Sequence, residues 1–206
     1  IAGGHTTLGS EMTVGCTVTG RCDGTPITVD GAQPGDALIL TKPIGSGVLM
    51  AAEMAGKARG ADVAQALRVM MQPQGRAAAL LADAKAQPHA MTDVTGFGLA
   101  GHLLNMCLAS DVGAEIDLEA VPLMAGALEL SDHGVRSSLY AENRAMLPNA
   151  PETDLADLLF DPQTGGGLLA ALGGDTEVLL AALRAEDYDA AIIGRVTDTA
   201  GQITIV

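Results

Sequence analysis

Aromatic residues are nearly absent from this chain: it has no Trp, and two Tyr and two Phe make up 2% of the residues. Apolar residues nevertheless account for 48% of the sequence and charged residues for only 17%, which argues against a disordered chain. The core must therefore be built from Ala, Leu, Val, Ile and nine Met. The 206 residues suffice for one large domain or two small ones.

Basic residues are also scarce. Eleven Lys and Arg stand against 25 Asp and Glu, so the formal net charge is −14. A surface this acidic argues against nucleic acid or an anionic membrane as a partner, because both bind through clustered Lys and Arg. It does not exclude a phosphorylated ligand, provided that a divalent metal or backbone N–H groups bind it.

Cysteines and long apolar runs are few. Three cysteines, Cys16, Cys22 and Cys107, argue against a disulfide scaffold and favour a reducing, cytoplasmic setting. The spacing of the first two with His5 matches no zinc pattern. No apolar run reaches the about 18 residues of a membrane-spanning helix, and no signal peptide is visible. The chain begins at Ile1 without Met, and we expect it to be a fragment of a longer protein.

Periodicity and turn residues divide the chain into alternating elements. Strands are predicted at 12–20, 35–43, 89–91, 113–118, 190–196 and 202–206, with a further strand after the turn in 161–172. Helices are predicted at 46–60, 61–71, 75–87, 98–109, 121–134, 152–160 and 176–186, with 135–151 as the longest irregular stretch. In the first helix Ser46 is the expected cap and Gly60 the expected end. The elements lack the strict rhythm of a doubly wound parallel sheet, so we predict an α+β fold with α/β layers: a mixed sheet flanked by helices.

Three glycine-rich turns stand out: AGGHTTLG at 2–9, TDVTGFGLAG at 92–101 and DPQTGGGLL at 161–169. Glycines beside Thr, Asp and His let backbone N–H groups approach an anion closely. None of the turns matches the Walker loop or the dinucleotide fingerprint, so each is weak evidence taken singly. In the third turn Asp161-Pro162 initiates a turn, and the glycines can simply admit a close strand crossing.

Asp93 admits two interpretations. Either Asp93 or Thr95 caps the helix that begins near Gly98, or the Asp93 carboxylate is a ligand of a hard cation such as Mg²⁺. Magnesium takes one or two carboxylates together with phosphates and water, so a single acid in the motif is compatible with the second interpretation.

The histidines differ in their surroundings. His5, between glycine and threonine, is a candidate to contact a ligand, whereas His102 lies in an apolar helix and is predicted to be a hydrogen-bonded core histidine. His89 and His133 are predicted to be surface or turn residues. No Ser-His-Asp or Cys-His order is evident, so nucleophilic catalysis is not expected within these residues.

Taken together, GGHT near the start, AMTDVTGFGLAGHL at 90–103 and DPQTGGGLL at 161–169 resemble the selenophosphate synthetase (selenide, water dikinase) family, as do LTKPIGSGVL at 40–49 and IIGRV at 192–196. The family belongs to the aminoimidazole ribonucleotide synthetase superfamily of dimeric, ATP-using enzymes. The resemblance implies that residues 1–18 end an N-terminal ATP-binding domain and that residues 19–206 form a C-terminal α+β domain.

The resemblance also implies a reaction: selenide, ATP and water give selenophosphate, AMP and orthophosphate, with Mg²⁺ as cofactor. Asp93 would be a magnesium ligand, and Gly3, Gly4 and His5 would contact ATP, often across a homodimer. It assigns no role to the DPQTGGG turn. The family's catalytic Cys (or selenocysteine) and Lys would lie upstream of these residues, so the fragment alone would be inactive.

Two alternatives stay open from the sequence. One is another ATP-using kinase or synthetase of the same superfamily, such as a thiamine-monophosphate kinase. The other belongs to a different class: a non-catalytic dimerisation or regulatory module.

Overall fold

The computed structural model describes residues 3, 9–22, 24–83 and 85–206. The strands are β1 (Ala37–Leu40), β2 (Pro88–Asp93), β3 (Gly113–Ile116), β4 (Leu168–Leu172), β5 (Ala191–Thr197) and β6 (Ile203–Ile205). The helices are α1 (Ser46–Met54), α2 (Gly60–Met71), α3 (Gly75–Leu81), α4 (Gly98–Ser110), α5 (Ala127–Asp132), α6 (Tyr140–Arg144), α7 (Asp154–Asp157) and α8 (Thr176–Ala185). Two short 3-10 helices, Leu118–Ala120 and Leu158–Phe160, complete the elements of the described chain.

The six strands form one mixed sheet in the order β2-β4-β1-β5-β3-β6. The central strand β1 pairs antiparallel with β4 on one side and with β5 on the other. β2 pairs antiparallel with β4, and β3 pairs antiparallel with β5. β6 pairs parallel with β3. The prediction of a mixed sheet is confirmed.

Helices cover both faces of the sheet, because the central strand is apolar on both of its sides. Side chains alternate along a strand, so Leu38 and Leu40 of β1 join one core and Ile39 joins the other. The first core takes its helical residues mainly from α1 and α4, and the second from α3 and α8. This is the helix-flanked arrangement predicted for the fold class.

Several predicted boundaries are wrong. The first helix ends at Met54, and Gly60 begins α2 instead of ending α1. The third helix ends at Leu81, well short of residue 87. The irregular stretch 135–151 contains α6, and 152–160 divides into α7 and a 3-10 turn.

The helix predicted at 121–134 is reduced to α5. The backbone before α5 is used elsewhere: Ile44 donates to the Pro122 carbonyl and accepts from the N–H of Met124, in a parallel bridge with Leu123. These bonds hold residues 122–124 in an extended conformation, so they cannot close a helical turn.

The strand predicted at 12–20 is also wrong: these residues are exposed and no strand is assigned to them. Alternating Val and Thr fit a strand only where a neighbouring strand supplies hydrogen-bond partners. The domain boundary at residue 18 stays a prediction. Within the described residues, no helix combines the length and apolar character needed to cross a membrane.

Candidate functional site

Three of the sequence motifs meet at one edge of the sheet. β1 and β2 both run towards this edge, ending at Leu40 and Asp93, and β4 begins there at Leu168. Leu40 is paired with Leu169, and Asp93 with Leu168. The antiparallel registers therefore bring LTKPIGSGVL, MTDVTGFG and DPQTGGG together, although Thr41 and Pro162 lie 121 positions apart in the chain.

Asp93 is the last residue of β2, and its side chain is exposed. The next residue, Val94, donates its N–H to the Gly167 carbonyl at 2.9 Å, which fixes the strand end against the DPQTGGG turn. Among the described residues, no donor is bonded to the Asp93 carboxylate. The capping interpretation of Asp93 or Thr95 is wrong, because α4 has Phe97 at its N-cap position and no side-chain cap. Both carboxylate oxygens are thus available to a ligand from solution.

His102 holds the turn that follows Asp93. Its Nε2 accepts the N–H of Thr95 at 3.0 Å and lies 3.2 Å from the Thr95 hydroxyl, and its ring packs against that of Phe97 at 5.7 Å. Burial lowers the pKa of His102, and the negative charge of Asp93 partly opposes this shift. A neutral ring with its proton on Nδ1 is the form that accepts the Thr95 bond. The prediction of a hydrogen-bonded core histidine is confirmed.

His89 was predicted to be a surface or turn residue beginning the strand at 89–91; the strand is observed, and the His89 side chain is half-buried. It lies in β2 and is bonded through Nδ1 to the buried carboxylate of Asp36 at 2.8 Å. This pair lies at the start of β1 and β2, the opposite edge of the sheet from Asp93.

The DPQ part of the third turn caps α1. The Gln163 Oε1 accepts the backbone N–H groups of Gly45 at 3.0 Å and Ser46 at 3.2 Å, and the Ser46 hydroxyl at 3.1 Å. The N–H groups of Gly47 and Val48 donate to the Asp161 carboxylate. The start of α1 is thus bonded by a turn distant in sequence. Ser46, expected as the cap, is instead a donor to Gln163.

Asp161 is 3% exposed, and burial raises its pKa to about 6. The hydrogen bonds from α1 and from the Gln163 amide favour the charged carboxylate and limit the rise.

Lys42 is one of the largest fully buried side chains in the described chain, at 1% exposure. Its Nζ donates to the carbonyls of Gln72 at 2.8 Å and Gly165 at 3.0 Å. Burial lowers the pKa of this amine. Lys42 was not among the predicted site residues, and its position directly after the buried strand β1 is the one signal of its burial in the sequence.

The glycines of the third turn permit close backbone contacts. Gly165 has a φ of +58°, and a Cβ there would lie 2.6 Å from the Met70 carbonyl oxygen; a Cβ at Gly166 would overlap the Val94 carbonyl. The prediction that these glycines admit a close crossing is confirmed.

Three further residues, Gly3, Gly4 and His5, were predicted to contact a ligand. Gly4 and His5 lie outside the described residues, and Gly3 has no neighbouring atom within 4 Å of its virtual Cβ. The described residues contain no group of three His, Cys, Asp or Glu side chains arranged to hold a metal. Cys107 is buried, which raises its pKa to about 11, and it is therefore not poised as a nucleophile.

The fold and this edge define an α+β domain whose motif-bearing loops gather at one end of a mixed sheet. The chain belongs to the family of AIR synthase related proteins: residues 33–206 match the C-terminal domain of that family.

Two relatives with the same name illustrate the similarity. A protein of Myxococcus xanthus named "Selenide, water dikinase" is 38% identical over 95% of this chain, and one of Pelobacter propionicus with the same name is 40% identical over 96%. These relatives confirm the resemblance to selenophosphate synthetases. The chain spans 58% and 59% of their respective lengths.

Solved structures show the same fold at low sequence identity. Thiamine-monophosphate kinase from Stenotrophomonas maltophilia superposes with a TM-score of 0.60 at 19% identity, over 87% of this chain and 52% of that one. The E. coli hydrogenase maturation protein HypE gives 0.61 at 20% identity, over 87% and 48%. At such identities these neighbours establish the architecture alone.

Proposed function

We propose that this chain is the C-terminal part of a longer, ATP-dependent selenide phosphotransferase that makes selenophosphate, AMP and orthophosphate from selenide, ATP and water. The observation that carries the proposal is the edge of the sheet where three motifs of that family meet around the exposed Asp93 carboxylate. The names of the relatives, at 35% to 40% identity over nearly the whole chain, support selenide as the substrate.

Asp93 suits one position in a magnesium site. Mg²⁺ prefers oxygen ligands and commonly binds through one or two carboxylates, with phosphates and water completing the octahedron. The Asp93 carboxylate is exposed and free of donors from the described chain, so both of its oxygens can bind an ion from solution. One carboxylate cannot hold the ion alone, so its other ligands would come from phosphate, water and residues beyond this edge. When bound, the ion would neutralise charge on the phosphates.

The remaining parts of the proposal rest on the resemblance. Gly3, Gly4 and His5 would contact ATP, the enzyme would be a homodimer in the cytoplasm, and the catalytic Cys (or selenocysteine) and Lys would lie in the upstream part of the longer protein. This 206-residue chain alone would then be inactive.

The test measures AMP formed from ATP, with and without selenide, by the longer protein. We expect selenide-dependent AMP in the wild type and a fall of about 100-fold or more in Asp93→Asn, because loss of a metal ligand removes several kcal/mol of stabilisation. The matched control is Asp111→Asn, an exposed aspartate at the other end of α4 in a left-handed conformation that Asn also adopts.

Each outcome decides between the candidates. No AMP from a folded wild type would reject the synthetase and favour a non-catalytic module. Phosphorylation of thiamine monophosphate in place of selenide would favour the other kinase of the superfamily. Full activity in Asp93→Asn would remove Asp93 from the metal site while leaving the reaction in place.

A further inference from the structure

The DPQTGGG turn contains three consecutive N–H groups without an acceptor. Around them, the N–H of Gln163 donates to the Thr95 carbonyl, that of Thr164 to the Ser46 hydroxyl and that of Leu168 to the Thr41 hydroxyl. No acceptor in the described part of the chain is bonded to the N–H groups of residues 165–167. Gly166 and Gly167 are buried, whereas Gly165 is exposed. Because buried N–H groups are almost always paired, the free N–H groups of Gly166 and Gly167 require an explanation.

The carbonyls of the same three glycines are all bonded. Gly165 accepts from the Lys42 amine at 3.0 Å, Gly166 from the Gln74 side-chain amide, and Gly167 from the Val94 N–H at 2.9 Å. All three carbonyls of residues 165–167 are therefore hydrogen-bonded within the protein, whereas their three N–H groups are not.

The direction of the donors follows from peptide geometry. In a trans peptide the C=O and the following N–H point in opposite directions. Since the Gly165 carbonyl points at the buried Lys42 amine, the Gly166 N–H points away from it. By the same argument, the Gly167 N–H points away from Gln74.

This arrangement suits an anion. Successive N–H groups next to a left-handed residue form a concavity that binds oxyanions, and Gly165 has a φ of +58°. The Lys42 amine beneath the segment adds a buried positive charge. Thr164 and Gly165 are exposed, so the segment is open to solvent on one side.

We propose that residues 165–167 form a phosphate-binding loop, in which the bonds from Lys42 and Gln74 to the loop carbonyls orient the N–H groups of Gly166 and Gly167. The choice of phosphate as the oxyanion rests on the proposed function, which it deepens. Asp93 is the strand partner of Leu168, the residue after the loop, so a phosphate here would lie beside the candidate magnesium ligand. The phosphate could be that of a nucleotide or free orthophosphate.

The test is a titration of the ¹⁵N-labelled 206-residue chain, followed through its backbone amide resonances. Orthophosphate is added in one arm and ATP in the other, both without divalent metal and at constant ionic strength set with chloride. We expect saturable shifts of the amide protons of residues 165–167, and slower hydrogen exchange at these amides once the ligand is bound. Shifts in only one arm identify which source of phosphate the loop accepts.

Variants that add a negative charge test whether the phosphate binds at residues 165–167. Thr164→Glu places a negative charge beside the loop and should weaken the binding of orthophosphate by about fivefold or more, since unit charges a few Å apart at a protein surface interact with that order of energy. Thr199→Glu is the matched control: Thr199 is exposed and follows β5 at the opposite edge of the sheet. It should leave the binding unchanged.

Two results would overturn the proposal. One is the absence of saturable shifts at residues 165–167 in both arms. The other is slow hydrogen exchange at these amides before any ligand is added, which would mean that the protein itself bonds them. Phosphate binding by a chain whose longer form makes no AMP would retain the loop and reject the proposed function.

Discussion

Gln163 and Ser46 are bonded twice although they lie 117 residues apart: the Gln163 Oε1 accepts both the backbone N–H and the hydroxyl of Ser46, at 3.2 and 3.1 Å. The same oxygen also accepts the N–H of Gly45. The start of α1 is thus capped from the turn before β4, and the position of the turn depends in return on α1. This mutual support ties the glycine loop to the core.

Gln163→Leu should destabilise the fold by about 3 kcal/mol, because it leaves two buried N–H groups and a hydroxyl without their acceptor. The measurement is the free energy of unfolding from urea denaturation of the 206-residue chain. Gln65→Leu, on the exposed face of α2, is the control and should change the stability by about 0.5 kcal/mol or less. Equal stabilities for the two variants would show that the cap contributes little.

Asp161 should make the stability of the chain depend on pH. The pKa of this acid is raised to about 6 in the fold, so folding favours the protonated form. The stability that it contributes is fully present below its ordinary pKa of 3.8 and is lost as the pH rises through about 6. Relative to Asp161→Asn, the wild type should lose about 3 kcal/mol over this interval, at about 1.36 kcal/mol for each pKa unit.

The pH test compares unfolding free energies of the two proteins at steps from pH 4 to pH 7. Asn keeps an oxygen that can accept from the N–H groups of Gly47 and Val48 but does not titrate. Only the difference between the two curves reports Asp161, because other groups titrate equally in both. Parallel curves would show that the pKa of Asp161 is not raised.

Gly166→Ala should destabilise the fold by about 3 kcal/mol or more, because the new Cβ overlaps the carbonyl oxygen of Val94 and would push β2 from β4. Gly75→Ala is the control: nothing lies within 4 Å of a Cβ at this first residue of α3. Since Ala is the better helix former, Gly75→Ala should be neutral or up to about 1 kcal/mol more stable. Thermal unfolding of both variants measures the contrast. A Gly166→Ala variant as stable as Gly75→Ala would refute the close crossing.

The sequence predicts best those elements that are patterned along their own length. The amphipathic helix predicted at 176–186 is observed as α8 at Thr176–Ala185, and the apolar run at 35–43 contains β1. The errors arise where distant residues decide. The cap of α1 comes from the DPQ turn, and the backbone of 122–124 is held by Ile44. The residue pattern around each element does not reveal either of these contacts.

In the candidate site, too, residues in a local motif are predictable from the sequence, and those that depend on distant contacts are not. Asp93 is identifiable from its motif, since a carboxylate beside glycines is a recognisable candidate ligand for a hard cation. The burial of Lys42 and the capping by Asp161 are not identifiable, because each depends on a register between strands that lie far apart in sequence. The motifs indicate where the chemistry lies, and the sheet determines which of them meet.

His102→Leu should weaken the response of the longer protein to Mg²⁺, because it removes the acceptor of the Thr95 N–H and with it the bond that orders the turn after Asp93. Loss of such a supporting bond typically costs about 10-fold to 100-fold in metal affinity. The measurement is the Mg²⁺ concentration that gives half-maximal formation of AMP. It should rise about 10-fold or more, while the rate at saturating Mg²⁺ falls less.

Two further variants separate positioning from simple stability. His102→Gln supplies an oxygen that can accept the Thr95 N–H, so it should restore much of the response to Mg²⁺. His133→Leu, at the exposed end of α5, should match the wild type. If a folded His102→Leu protein needs no more Mg²⁺ than the wild type, then His102 supports only the core and Asp93 keeps its orientation without it.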